Sequence, residues 1–265
     1  MSANLFKTWL QQPQKQPPLG SWLMSGSPTV AEAMGHCGFD FLVVDMEHSP
    51  IDIADAVALL RAIAGTAAQP LVRLAWNDQV MVKRVLDAGA RSVMFPFIQT
   101  VEEARIAVSY TRYPPEGIRG VAGIHRASRY GRANDYFKTA NDDIAVVLQL
   151  ETPEAIERLP EIAAVPGVDS LFVGPGDLSA AMGRIGEIGH PEVQTLIAKA
   201  AHAAHTAGKP VGIVGGNPDM LGRFLGYGYD WVAVASDMAL MTGRAVDWVT
   251  ALKGRGLTTT TGPAY

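Results

Sequence analysis

Four apolar, strand-like runs end in groups able to do chemistry: VVDMEHS with Asp45, Glu47 and His48, PLVRLAW with Arg73, LQLET with Gln149 and Glu151, and FVGPGDLS with Asp177. Apolar strands rarely end in so many polar groups, and each that converges on a common space needs a partner there. Glu151 and Asp177 form the natural pair. Two carboxylates facing one cavity either share a proton or hold a cation, and an oxygen-only pair with room for water suits a hard divalent ion such as Mg2+ or Mn2+. Each acid can instead serve the helix that follows it. Glu151 precedes TPEAIERL, where Thr152 can cap with Pro153 in the first helical position, and Asp177 precedes LSAAMG.

His48, one step past an apolar run and beside two acids, reads either as a general base tuned by neighbouring charge or as a hydrogen-bonded structural histidine. Arg73 lies within a strand whose alternate residues face the interior, so its guanidinium needs a structural acid or a substrate carboxylate or enolate oxygen. The seven lysines fall in the amino-terminal tail, in helices, in a long connection or just ahead of the seventh strand, and none stands at a strand end where an imine could form. No GxGxxG, Walker, GxSxG or CxxC pattern is present. GIVGGN at 212–217 offers backbone donors to an anion, a weak signal by itself.

Strands are expected at 19–25, 40–47, 70–76, 92–98, 144–151, 170–176, 210–216 and 231–236. Helical periodicity follows at 28–37, 52–64, 78–88, 100–112, 153–164, 191–207, 218–226 and 238–253. Eight strand–helix units predict an α/β fold, a (β/α)8 TIM barrel forming a single domain over residues 1–257, with a doubly wound open sheet as the competitor. In such a barrel the strand carboxyl ends form the working face. The connection 113–143, rich in Gly and Arg, is too long for a routine link and reads as a partly ordered loop near that face or as a surface excursion. The end, GLTTTTGPAY, is poor in apolar residues, and a disordered tail is expected over 258–265.

With 265 residues, 48% hydrophobic, and a formal net charge of -4, the chain can bury a sizeable core and has no long-range attraction for nucleic acid. One cysteine, Cys37, excludes an intrachain disulfide and fits a reducing compartment. The amino terminus lacks the charged-then-apolar order of a signal peptide, and no apolar run is long enough to cross a bilayer. A cytoplasmic location is expected.

The strings VVDMEHSPID, VLDAGARSVMFPFIQTVEEAR, RYPPEGIRGVAG, RASRYGRANDY, LQLETPEAIERLPEIAAVPGVDSLFVGPGDLSAAMG and HPEVQ resemble the HpcH/HpaI aldolase family across roughly residues 5–255, specifically its metal-dependent pyruvate aldolases. The resemblance implies a (β/α)8 barrel that cleaves a 4-hydroxy-2-oxo acid reversibly to pyruvate and an aldehyde. It implies that Glu151 and Asp177 bind a divalent cation, Mg2+, Mn2+ or Co2+, which chelates the keto and carboxylate oxygens of pyruvate. Gln149 then contacts substrate, His48 is the catalytic base, and Arg73 stabilises the enolate. Asp87, which on its own reads as an exposed helix-end acid, raises the basicity of His48. A homohexamer with an exchanged last helix is implied as well.

Many relatives carry Ala or Ser where this chain has Gly176, which removes a side chain without changing the reaction class. The backbone N–H groups of Gly176 and Asp177 become candidate donors to the pyruvate carboxylate, and Val214, Arg126 and Arg129 candidates for the aldehyde pocket. The same enolate can also serve oxaloacetate decarboxylation or a carbon-bond-forming synthase. A barrel that binds without catalysis is the reading from another class, and it predicts a missing ligand or base.

Overall fold

The computed structural model describes residues 3–12 and 14–254, so the terminal stretch from 255 onward, including the expected tail, lies outside the described residues. Each of the eight apolar runs forms a parallel strand, as expected of segments rich in Val, Ile and Leu that are buried on both faces. The strands are β1 (Leu19–Leu23), β2 (Phe41–Asp45), β3 (Gln69–Arg73), β4 (Ser92–Phe95), β5 (Ala145–Leu150), β6 (Ser170–Val173), β7 (Val211–Gly215) and β8 (Trp231–Ser236). Each pairs with the next, and β8 returns to β1, closing a barrel rather than an open sheet. Most strands stop short of the expected end at their carboxyl side, because the chain turns there into the loops that carry the polar groups.

The helices are α1 (Leu5–Gln11), α2 (Pro28–Gly35), α3 (Ile53–Ile63), α4 (Gln79–Asp87), α5 (Val101–Thr111), α6 (Tyr136–Asp143), α7 (Pro153–Glu157), α8 (Leu159–Ala163), α9 (Pro175–Ala181), α10 (Pro191–Thr206), α11 (Pro218–Gly226) and α12 (Asp237–Lys253). Their starts are written locally: Ser27, Asp78, Thr100, Thr152, Asn217 and Ser236 each accept a backbone N–H at the helix entrance. Asp52 with Asp55, and Thr100 with Glu103, add reciprocal capping boxes. The expected helix at 153–164 splits into α7 and α8, and α1, α6 and α9 are additions to the expected set. Among the described residues no helix is long and apolar enough to cross a membrane.

Two apolar layers hold the barrel. The outer one lies between strands and helices; the inner one fills the barrel with Trp22, Phe41, Leu71, Met94, Phe172 and Trp231, among others. Helix α1 closes the amino-terminal end of this interior. Its Phe6 meets Phe41 and Trp231 edge-on, with ring centroids 5.4 Å apart in each case. Asn4 fastens the helix by donating to the carbonyls of Arg91 at 2.8 Å and Asp143 at 2.9 Å.

The long connection has its residues 126 and 127 at the amino-terminal end of the barrel, while its Ile118 carbonyl accepts from Gln79 Nε2, at the start of α4, at 3.1 Å. It links α5 to β5, and a segment between a helix and the next strand emerges at the amino-terminal end of the barrel. There Arg126 Nη1 donates to the carbonyl of Ala88, 3.1 Å, and the amide of Ala127 to that of Asp87, 3.1 Å. A cavity of about 390 Å3 lies beneath it, lined by Arg91, Arg126, Arg129, Tyr130 and Tyr136 among others. Arg126 and Arg129 are therefore remote from the strand carboxyl ends, and the place expected for them in the aldehyde pocket does not hold within one chain.

Candidate active site

Asp45 and Arg73, the last residues of β2 and β3, are partners in the strand register. Arg73 donates from Nε to Asp45 Oδ1 at 2.9 Å and from Nη2 to Oδ2 at 2.8 Å, so its buried charge is met by a two-pronged carboxylate. Nη1 lies 3.0 Å from Glu47 Oε2, and the guanidinium carbon sits 4.2 Å from the ring centre of Trp22. Asp45 Oδ1 also accepts the backbone N–H groups of Glu47 at 3.0 Å and His48 at 3.3 Å. One carboxylate thus holds the arginine and shapes the DMEH turn. His48 stands at the mouth, its side chain 42% exposed, with Nε2 3.8 Å from Glu47 Oε2.

Glu151, just past β5, is buried. Its Oε1 accepts from Gln149 Nε2 at 2.5 Å, and its Oε2 from the backbone N–H of Phe97 at 3.0 Å, a residue with a left-handed φ of 53°. Burial, then the nearby charges of Asp177 and Glu47, push its carboxyl up to about 8. Thr152, not Glu151, caps α7, and the N-cap of α9 is Gly174, with Asp177 inside the first turn. The helix-capping alternatives for both acids therefore fall. A side chain at Gly174 would run into Glu151 Oε1 and lie 3.0 Å from Gln149 Nε2, so the glycine makes room for the acid.

Trp22, Arg73, Gln149, Glu151, Asp177 and Val214 line one narrow pocket, which also includes Gly176. Gln149 Oε1 is buried without a hydrogen-bond partner, and a Cβ at Gly176 would meet open space. Among the described residues no group of three or more His, Cys, Asp or Glu side chains is placed to hold a metal. A cation here would take two carboxylates from the chain and its remaining ligands from water or substrate.

Asp87, like Arg126 and Arg129, is an expected site residue that the fold carries elsewhere. It ends α4 at the amino-terminal end of the barrel, bonded to Arg119 Nη2 at 2.7 Å and 3.7 Å from His125 Nε2. A helix that follows a strand runs back toward that end, so its last residue cannot meet His48 in the same chain. Sequence reasoning passed over Trp22 and Phe97, left Asp45 without a role, and gave Gly174 no part in placing Glu151. Of these, only Gly174, ahead of a proline and an acid, left a readable signal.

A closed barrel with acids, an amide and a buried arginine gathered at its carboxyl end has the build of an enzyme rather than of a binding shell. The chain belongs to the HpcH/HpaI aldolase/citrate lyase family, whose sequence profile matches residues 19–243. It is 52% identical over 248 residues to 2-dehydro-3,6-dideoxy-6-sulfogluconate aldolase of Pseudomonas putida, covering 94% of this chain and 97% of that one. It is 44% identical to 4-hydroxy-2-oxo-heptane-1,7-dioate aldolase of Klebsiella pneumoniae, with 97% of each chain covered. A crystal structure of a family protein from Burkholderia cenocepacia superimposes with a TM-score of 0.91 at 41% identity, covering 94% of this chain and 99% of that one. The chain is an aldolase, a carbon–carbon lyase.

Proposed function

We propose that the chain cleaves a 4-hydroxy-2-oxo acid to pyruvate and an aldehyde, and runs the reverse addition, with Glu151 and Asp177 holding a divalent cation. The observation that carries this is the pocket itself, where Glu151 is driven toward protonation by burial and by two further acids. A cation relieves that repulsion, and an oxygen-only donor set suits Mg2+, Mn2+ or Co2+. When bound, the cation supplies Lewis-acid polarisation of the 2-oxo oxygen.

The remaining steps belong to the chain. Gln149 orients the substrate with the amide oxygen that has no protein partner. First-turn amides of α9, at Gly176 and Asp177, have no intrahelical acceptor and face the substrate carboxylate. His48, through water, takes the proton of the 4-hydroxyl as the C3–C4 bond breaks, and the bonding pair moves into the enolate of pyruvate. Arg73 places a fixed positive charge beside the developing oxyanion, after which a proton returned to C3 completes pyruvate.

Helix α12 supports an assembly: Met238, Leu240, Met241, Trp248 and Leu252 are exposed along it. A homohexamer with α12 exchanged between subunits accounts for this surface, and in it the Asp87 that serves His48 comes from a second copy.

Dialysis against a chelator followed by return of Mg2+, Mn2+ or Co2+ tests the mechanism. Activity should vanish and recover; persistence without metal, or inactivation by borohydride in the presence of pyruvate, overturns it in favour of an imine. A panel of aldehydes with and without a terminal carboxylate identifies the acceptor.

A further inference from the structure

We propose that Glu47 is the positioning residue for His48, an inference that rests on the reading of His48 as the base. A single oxygen of Glu47, Oε2, faces two basic side chains: Arg73 Nη1 at 3.0 Å and His48 Nε2 at 3.8 Å. That oxygen is buried and has no hydrogen bond of good geometry, so its contact with Arg73 is a charge contact rather than a directed bond. Oε2 keeps a lone pair for the imidazole. The backbone leaves little slack, since Asp45 Oδ1 holds the amides of both Glu47 and His48.

The charges around the base explain why an acid is needed at this point. Arg73 and Asp45 already form a closed pair, almost entirely out of solvent. When His48 accepts the substrate proton it becomes an imidazolium that shares the Glu47 oxygen with the Arg73 guanidinium. The guanidinium disfavours a second positive charge beside it. Glu47 stands between His48 and Arg73, where its charge offsets the new one and holds the ring at the mouth. Asp87 of the same chain is out of reach, bonded to Arg119 at the opposite end of the barrel.

The test uses full-length protein loaded with Mn2+. Glu47→Gln keeps the shape and removes the charge; it should lower kcat for cleavage by about 10- to 100-fold. KM for the oxo acid and Mn2+ affinity should each stay within about threefold, and Glu47→Asp should recover part of kcat. In a His48→Ala background the same change should have almost no further effect, because an acid acting through the histidine has nothing left to act on. Wild-type kcat in Glu47→Gln, an equal loss with and without His48, or a parallel loss of Mn2+ binding overturns the inference while leaving the aldolase intact. A wild-type protein inactive on every hydroxy-oxo acid would instead sink the reading beneath it.

Discussion

Asp45 and Arg73 stand opposite one another at the carboxyl ends of β2 and β3, and their side chains close a two-pronged pair that is almost fully buried. The pair joins stability to catalysis, because the same arginine lines the pocket. Asp45→Ala leaves the guanidinium buried without its two-pronged carboxylate. Removing one partner of such a pair should cost about 3–5 kcal/mol in a denaturant titration, against the near-neutral effect of an exposed acid such as Glu102.

Gly174→Ala tests the space given to Glu151. The added methyl would occupy the position of Glu151 Oε1, so the acid must turn away from Gln149. Divalent-cation affinity, measured by calorimetry, should fall by at least about tenfold, while the loss of stability stays within the common range of about 1–3 kcal/mol. Unchanged affinity would mean that Glu151 is not a ligand.

The raised carboxyl of Glu151 sets a pH signature for chelator-treated protein. Between the ordinary carboxylate range and about 8, the folded chain holds a proton that the unfolded chain releases. Stability should therefore fall as pH rises through that window, visible as a declining Tm. The cation competes with the same proton, so its affinity should increase with pH, by at most about tenfold per unit, and level off above about 8. A Tm flat with pH in the absence of metal would count against the buried acid.

Mixed assemblies test the origin of the acid that serves His48. His48→Ala and Asp87→Asn chains, each inactive alone, should regain activity when refolded together, because roughly a quarter of randomly formed sites draw both intact residues from different copies. No recovery, with mixed assemblies demonstrated by mass, would remove Asp87 from the site.

The barrel and the residues at its mouth were legible because two periodicities and the strand-end rule act locally. Runs of Val, Ile and Leu announce buried parallel strands, and acids at their ends stand out against them. Helix α9 was hidden because Gly174, Pro175 and Gly176 read as a turn, although proline in the first helical position is also a start signal. Helix α1 is only seven residues long, too short to display a clear stripe. The side of the barrel on which Asp87 falls and the long connection starts was available from chain order alone. Asp87 ends a helix and the long connection leaves one, each ahead of a strand, which assigns the helix end and the start of the connection to the amino-terminal end. The shared oxygen between Arg73 and His48 was out of reach, since it depends on side-chain torsions that spacing does not encode.

The aromatic stopper at the floor of the barrel ties Phe6 to Trp231, residues from the first helix and the last strand. Ribosomes deliver these partners far apart in time. The amino-terminal segment must wait, apolar face uncovered, until most of the chain has emerged, and only then can the interior be sealed. Chaperone dependence during synthesis should accordingly be governed by helix α1 as much as by the barrel that it closes.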